Sequence, residues 1–535
     1  MQNIREVVER AAQFFGDKTF LYFMNEEVSF SELDKISGKA ANAFKKLGIS
    51  KGDKVALFLP NCTEFFFVWI GLSKLGAVMV PINTFFKEKE TTFVINNSDS
   101  KMVITDSKSL EMILNIRGNC ELVENVMVID QGPSTNVLSF YKLIQMEDSH
   151  IDQVELSPDD DAAILYTSGT TGNPKGCVVP NSYYILNAKL WLEHQEFTSE
   201  DRFLTPLPFF HMNPQILTTM GALTIGASVI LLDRFHPGTW WEDVVRYEAT
   251  QFHYLGVMPA ILSSLPHSPL ENGHKARLCL GAGISYKFHE AFENRFGLQT
   301  IEVFGMTETG LNMATPIRGE RKLGTGSMGK VLPGIQAKIV DEFDQEVPIG
   351  TAGELVLKEE LRPEGSSMMK YYYKNEAATK EAWRNGWFHT GDIARQDEEG
   401  FFYFVDRKKD IIRRSGENIS SMEIEDCVRA HPQVVDAAAV PFPDPLREQE
   451  VRVCIILNPN ETVSEEEIVN WCSERLAYFK VPRYIEFVSK FPKTASQKVQ
   501  KSVLKNFFQE KTYDRTKRAY VYLKRILVEV EENVK

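Results

Sequence analysis

Ala162-Ala-Ile-Leu-Tyr166-Thr-Ser-Gly-Thr-Thr-Gly-Asn-Pro-Lys-Gly176 joins an apolar run to a loop of glycines, hydroxyls and one lysine, and a helical pattern begins near Asn181. Glycines let the backbone approach an anion closely, consecutive N–H groups form a nest, the Thr and Ser hydroxyls donate, and Lys175 adds a movable positive charge. A loop of this make-up is suited to phosphate. It is not a Walker A loop, because Gly176 rather than Ser or Thr follows Lys175 and no glycine precedes the lysine. The plainer reading is a Gly/Thr-rich turn between strand and helix.

Outward from this loop, short apolar runs recur: KVALFLP from Lys54, AVMVPI from Ala77, then KMVITD, ENVMVID, ASVILLD, QFHYLGV, RLCLGAG and QTIEVFG. Helical patterns such as WWEDVVRYEA and KFHEAFENRF lie between several of them, so the spacing predicts layered α/β sheets with largely parallel strands. Asn61 with Glu64 reads as a capping box opening an apolar helix that Gly76 stops. Between Gly326 and Leu357, Pro333, Gly334, Pro348, Gly350 and Gly353 punctuate short strands, which predicts a β-rich subdomain. After FFYFVDRKKD the alternation resumes on a smaller scale. The expected organisation is a large N-terminal domain over 1–406, a hinge at 407–409, a small mobile α+β domain over 410–505 and a helical extension over 506–535. Nine Lys or Arg between Lys498 and Arg525, with Tyr520, Leu523, Ile526 and Leu527 near helical spacing, read as a surface helix or as a membrane or coenzyme contact.

The 535 residues allow two to four domains at roughly 150 residues each. A net charge of −13 disfavours gripping a nucleic-acid backbone, so no nucleic-acid partner is expected. Seven cysteines without a CxxC pair argue against a zinc site or a disulfide framework and fit a reducing cytoplasm. The N-terminus lacks a secretory apolar region, and the greasiest stretch, Phe65 to Ile82, is broken by Lys74 and Gly76, so no transmembrane segment is expected. Self-association as a homodimer is left open.

The phosphate loop resembles the signature of the adenylate-forming superfamily of acyl-CoA synthetases, luciferases and peptide-synthetase adenylation domains. Further motifs of that family follow in order: Pro208-Phe-Phe-His211, Gly281-Ala-Gly283, Phe304-Gly-Met-Thr-Glu308, Trp387-Phe-His-Thr-Gly-Asp392, Asp406-Arg407 with Gly416-Glu-Asn-Ile, and Pro492-Lys-Thr-Ala-Ser-Gln-Lys498. Within it, KVALFLPNCTEFFFVWIGLSKLGAVMVPIN, DEEGFFYFVDR and SGENIS are similar to bacterial crotonobetaine/carnitine-CoA ligases.

The resemblance implies an acid-thiol ligase using ATP, Mg²⁺ and coenzyme A: a carboxylate attacks ATP to give acyl-AMP and pyrophosphate, then a thiol attacks the acyl-AMP. Thr167, Ser168, Gly169, Thr170, Thr171, Gly172 and Lys175 would hold phosphates. Gly281, Ala282, Gly283, Phe304, Gly305, Met306 and Thr307 would hold the adenylate, with Phe304 as the aromatic face where many relatives have Tyr. Glu308 is a hard oxygen ligand for Mg²⁺. Asp392 would accept from the ribose hydroxyls and Arg407 donate to them. Lys498 would stabilise charge as two anions meet at the α-phosphate. Gln497 departs from the family, which nearly always has glycine there, and bears on the backbone of the lysine loop.

His211 resembles an aromatic gate beside the acyl carboxylate, and a buried structural histidine is the alternative. It is not read as a general base, since a carboxylate needs no deprotonation at pH 7. Ser415, Gly416 and Glu417 resemble the lining of the thiol tunnel, reached after the small domain pivots at Lys409. For the acid, Trp240, Trp241, Tyr254 and Glu302 are candidates for a trimethylammonium cage, whereas Phe209, Ile216, Leu255, Val257 and Met258 suit a fatty-acid tunnel. A non-catalytic nucleotide or acyl sensor is the alternative of a different class, motivated by Gln497.

Overall fold

A computed structural model describes the chain apart from residues 131–136, 168–173, 285, 361–363, 415–416, 445–446, 460, 494–498, 507–508, 510 and 523–535. Ser168, Gly169, Thr170, Thr171, Gly172, Ser415, Gly416, Gln497 and Lys498 therefore lie outside the described residues. The chain divides into two compact units, one of 1–337, 357–389 and 400–402, the other of 338–356, 390–399 and 403–535. The sequence reading set the boundary at 406/407; the last passage of the chain from one unit to the other falls at 402/403.

The first unit holds two large sheets. In one, strands Ser100–Thr105, Lys54–Phe58, Val78–Pro81 and Asp161–Thr167 run parallel as neighbours, and Lys175–Pro180 then pairs antiparallel with Asp161–Thr167. The loop that opened the sequence reading thus joins two strands of a hairpin, with Thr167 opposite Lys175, and helix Asn181–His194 begins only after the second strand. In the other sheet six parallel strands lie side by side, Gln299–Met306, Leu278–Ala282, Gln251–Leu255, Arg202–Thr205, Ser228–Leu231 and Thr19–Phe23. Gly310–Ala314 pairs antiparallel with Gln299–Met306, and Glu26–Ser29 with Thr19–Phe23. The α/β architecture with largely parallel sheets is the one the periodicity predicts.

Helix Thr63–Leu75 is buried along nearly its whole length and ends at Gly76, whose φ of 70° suits a residue without a Cβ. The capping box read at Asn61 does not form. Cys62 is the N-cap residue and makes no side-chain cap bond, while Asn61 is buried and turned to other partners described below. Lys74, the charge that interrupts the apolar run, is 2% exposed and reaches Asp34 at 2.7 Å, and burial lowers its pKa. A snorkelling ammonium with one carboxylate partner lets a charged residue occupy a core helix.

The strands of the β-rich stretch, Ile335–Val340, Gly353–Glu359, Phe388–Gln396 and Phe402–Arg407, neighbour one another in that order, with most of their residues in the second unit. The remainder of that unit is an α+β sheet. Val434–Asp444 pairs antiparallel along Glu448–Leu457, Tyr484–Phe487 is parallel to the latter, and helices Ser421–Arg429 and Glu465–Ser473 contribute to one apolar core. The helical reading of the basic tail is corrected over 512–521: among the described residues the helix covers Lys501–Asn506, Thr512–Asp514 and Ala519–Val521 form an antiparallel pair, and Leu523, Ile526 and Leu527 lie outside the described residues. Residues at helical spacing there alternate just as well about a short turn, and Tyr513 opposite Tyr520 gives the cross-strand contact that favours the hairpin.

Candidate active site

Strands Leu278–Ala282 and Gln299–Met306 are parallel neighbours, so both send their C-terminal ends to the same edge of the sheet. That edge is where open α/β sheets take ligands. Gly281, Ala282 and Gly283 leave one strand there and Phe304 to Glu308 the other. Gly281 has no room for a side chain, since a Cβ would lie 2.4 Å from the Tyr254 carbonyl oxygen, and Gly283 adopts φ +82°. Gly305 is equally confined, its Cβ position being 2.4 Å from the Gly310 carbonyl oxygen. Phe304 is mostly buried, Met306 and Thr307 are half-buried, and the Thr307 carbonyl accepts from the Tyr183 hydroxyl at 2.9 Å.

Glu308 is 7% exposed and held from two sides. Its Oε1 accepts from the Tyr372 hydroxyl at 2.9 Å and lies 3.5 Å from Thr167 Oγ1, and its backbone carbonyl accepts Met369 N–H at 2.8 Å. Tyr372 belongs to a short strand paired with Lys175–Pro180, and Lys175 Nζ stands 5.0 Å over its ring. The hairpin and the end of strand Gln299–Met306 therefore bring Thr167, Lys175 and Glu308 together around Tyr372. Burial, reinforced by the Glu308 charge, pushes the Tyr372 phenol far above its ordinary pKa, so it serves Glu308 only as a donor. One carboxylate beside a phosphate-type loop matches Mg²⁺, which takes one or two protein carboxylates and completes its shell with phosphates and water. Among the described residues no group of three or more His, Cys, Asp or Glu could hold a metal without such help.

The loop Pro208–His211 is fastened by two buried amides. Asn61 accepts Phe209 N–H at 2.9 Å and donates to the Leu207 and Leu232 carbonyls at 3.0 and 2.9 Å. Gln215 donates to the Phe209 carbonyl at 2.6 Å and accepts from the Tyr184 hydroxyl at 2.7 Å. His211 is half-buried, with its ring 4.5 Å from that of Phe210. Gln215 stands in a π-helical turn, Pro214–Met220, a distortion of the kind common next to functional sites.

The proposed ammonium cage does not assemble. Trp240 is fully buried against Phe235 and Phe252, and Trp241 stacks on His274 and Phe296. Tyr254 and Glu302 do meet, the phenol donating to the carboxylate. Burial pushes Glu302 up to about 7.

In the second unit Arg407 Nε lies 3.7 Å from Asp392 Oδ1. Lys408 donates its backbone N–H to the Gly391 carbonyl at 2.9 Å and its ammonium to buried Glu354 at 2.9 Å, which fixes the turn carrying Asp392. Asp406 accepts from Ser421 N–H and Oγ at 2.5 and 2.7 Å and so caps helix Ser421–Arg429 from the segment before the hinge. Lys409 is exposed, and the partial loss of water around its ammonium, followed by the Arg407 charge, lowers its pKa. Glu417 is exposed, on a short strand paired with Ile412–Arg414.

Tyr372, Asn61 and Gln215 escaped the sequence reading. Tyr372 carried a signal, the triple Tyr371-Tyr-Tyr373, but Asn61 was absorbed by a capping pattern that fits many helix starts.

A phosphate-type hairpin facing one buried carboxylate, with a glycine loop and an aromatic strand end alongside, is what a nucleoside triphosphate with its divalent cation requires. The chain belongs to the AMP-binding enzyme family: residues 8–373 match the family itself and residues 423–498 its C-terminal domain. It is 35% identical over 516 residues to a crotonobetaine/carnitine-CoA ligase of Salmonella paratyphi A, a match covering 94% of this chain and 99% of that protein. The protein of the same name from Proteus mirabilis is 36% identical over 521 residues, with the same coverage. Among solved structures it resembles an anthranilate CoA ligase, AuaEII, in complex with anthranoyl-AMP, at TM-score 0.87 and 27% identity over 94% of this chain and 96% of that one. It also resembles ATP-bound MatB from Rhodopseudomonas palustris, at TM-score 0.85 and 26% identity over 94% and 98%. The protein is accordingly an AMP-forming acyl-CoA ligase that uses ATP, Mg²⁺ and coenzyme A. Among the described residues no helix is long and apolar enough to cross a membrane, and the seven cysteines are buried and form no disulfide.

Proposed function

We propose that the acid is a small betaine of the carnitine or crotonobetaine type, activated in the cytoplasm as its acyl-AMP mixed anhydride with release of pyrophosphate and transferred to coenzyme A with release of AMP. The observation that carries this reading is the identity of about 35% to ligases bearing that name, sustained across 94% of the chain.

In the first half-reaction Lys175, with the hydroxyls and N–H groups of Thr167, Ser168, Gly169, Thr170, Thr171 and Gly172, holds the phosphates. Glu308 would hold the Mg²⁺ ion, which would supply charge neutralisation for the phosphates. Phe304 and the Gly281–Gly283 backbone take the adenine side, and Asp392 and Arg407 the ribose hydroxyls. Lys498 is the catalytic cation, stabilising the charge that develops as the carboxylate attacks the α-phosphate, an effect of about 10²–10³ in rate. His211 gates the acyl carboxylate. In the second half-reaction the chain pivots at Lys409, and Ser415, Gly416 and Glu417 line the path of the thiol. The proximity of Thr167 and Glu308, at 3.5 Å, and the Asp392–Arg407 pair support these assignments.

Pyrophosphate release from MgATP and coenzyme A tests the acid. Crotonobetaine, carnitine and γ-butyrobetaine are expected to outpace fatty acids and benzoates. Turnover of plain fatty acids in preference to the betaines would overturn the assignment of the acid and leave the half-reactions standing.

A further inference from the structure

Among the described residues Glu302 has no partner of opposite charge, yet it is 9% exposed and accepts from three donors. Gly283 N–H reaches Oε2 at 2.8 Å, Ile284 N–H reaches Oε1 at 3.3 Å, and the Tyr254 hydroxyl donates to Oε1. We propose that Glu302 is a positioning residue that clamps the Gly281–Gly283 loop in the shape that receives the nucleotide, with Tyr254 orienting its carboxylate. This rests on the reading that the loop contacts the adenylate.

The strand register makes the clamp possible. Glu302 is paired across the sheet with Gly281, so its side chain leaves the neighbouring strand beside the start of the loop and meets the loop's own N–H groups two residues on. The loop is closed in from its other side as well. A Cβ at Gly256 would lie 2.0 Å from the Gly283 carbonyl oxygen, and one at Gly281 would strike both the Tyr254 carbonyl and its ring. With Gly283 at φ +82°, the backbone is bounded by close contacts on the Tyr254 side and by hydrogen bonds on the Glu302 side. A buried carboxylate is an expensive way to fill a core position, and an apolar residue of similar volume fills it at lower cost. What the carboxylate adds is directional: two consecutive N–H groups point at one anion, which sets the path of the loop. The same strand reaches Phe304 two residues later, so one residue sets the spacing between the glycine loop and the aromatic face.

The test compares wild type with Glu302→Gln, Glu302→Asp and Tyr254→Phe. It measures MgATP affinity by calorimetric titration, the KM for ATP and for the acid in carboxylate-dependent pyrophosphate exchange, and the melting temperature. Glutamine turns an amide NH₂ toward a donor that the carboxylate accepted, so ATP affinity is expected to fall by about tenfold to a hundredfold, the range of a hydrogen bond to a charged group. The KM for the acid changes much less. Tyr254→Phe loses several-fold in ATP affinity, and Glu302→Asp, which keeps the charge on a shorter arm, falls between wild type and Glu302→Gln. ATP affinity equal to wild type in folded Glu302→Gln, with only the melting temperature lowered, overturns the proposal. Should that variant fail to fold, an unchanged ATP affinity in Tyr254→Phe overturns it instead. Wild type that binds ATP without exchange on any acid removes the adenylation reading while the titrations still judge the clamp; wild type that binds no ATP removes both.

Discussion

The ammonium of Lys505 lies 3.2 Å from the Asp410 carboxylate and also donates to the Lys409 carbonyl at 2.8 Å, so the short helix that follows residues 494–498 is tied to the segment proposed as the pivot. Buried Arg452 holds the same helix from beneath through the Leu504 carbonyl. Both ties lie within the second unit. Lys505→Met is expected to cost about 1 kcal/mol of that unit's stability, the pair being partly exposed. It should also slow pyrophosphate exchange, with Lys505→Arg largely restoring it. Denaturant unfolding followed at Trp471, together with exchange kinetics, checks this, and unchanged exchange in Lys505→Met would refute the coupling.

Glu308→Gln keeps the shape of the side chain and the bond from Tyr372 but removes the charge. Exchange should drop by about 10²–10³, and the Mg²⁺ concentration for half-maximal rate should rise. Chelation of Mg²⁺ should silence wild type and be reversed by adding the ion back. A variant with an unaltered Mg²⁺ titration would show that the metal is held elsewhere.

Glu302 gives a pH dependence of definite sign. Its pKa is raised from 4.5 to about 7, so between those values the folded chain binds more protons than the unfolded one. The stability contributed by this group is full below pH 4.5 and is lost as pH rises through 7, in total about 3 kcal/mol. Urea unfolding of wild type and Glu302→Gln between pH 5 and 8 should show the difference in stability shifting toward the variant as pH rises. A difference that stays flat would place the titration elsewhere.

Asn61→Ala removes three hydrogen bonds, two to the Leu207–Phe209 segment that leads to His211 and one to Leu232. At about 1 kcal/mol per bond the melt should show a loss of about 3 kcal/mol. The KM for the acid should rise while that for ATP holds. A rise in both would mean that the amide supports the whole edge of the sheet rather than this loop.

Much of the fold was legible because parallel strands buried on both faces read as continuous apolar runs, and ILYT, ASVIL and RLCLGA did so. The site was legible wherever its chemistry is local: a phosphate-type loop and a strand ending in Thr-Glu announce themselves in a few adjacent residues. Contacts between distant segments were not. Tyr372 reaches Glu308 across 64 positions and Asn61 reaches Phe209 across 148, and neither spacing leaves a trace in a periodicity. Trp240 and Trp241 misled for the complementary reason. An aromatic pair suits a cation cage and a core equally well, and only the neighbours Phe235, Phe252 and Phe296 decide between them. The C-terminal hairpin was missed because its alternation is only a few residues long on each side of its turn.

The pairing of Thr167 with Lys175 constrains how relatives of this protein can diverge. Successive residues of a strand face opposite sides of the sheet, so a one-residue slip of one strand against the other would either invert Lys175 or pull Thr167 out of reach of Glu308. The register of the two strands and the chemistry of the residues between them are constrained together. Variation should therefore gather away from this stretch, in surface connections that remain free to grow and shrink.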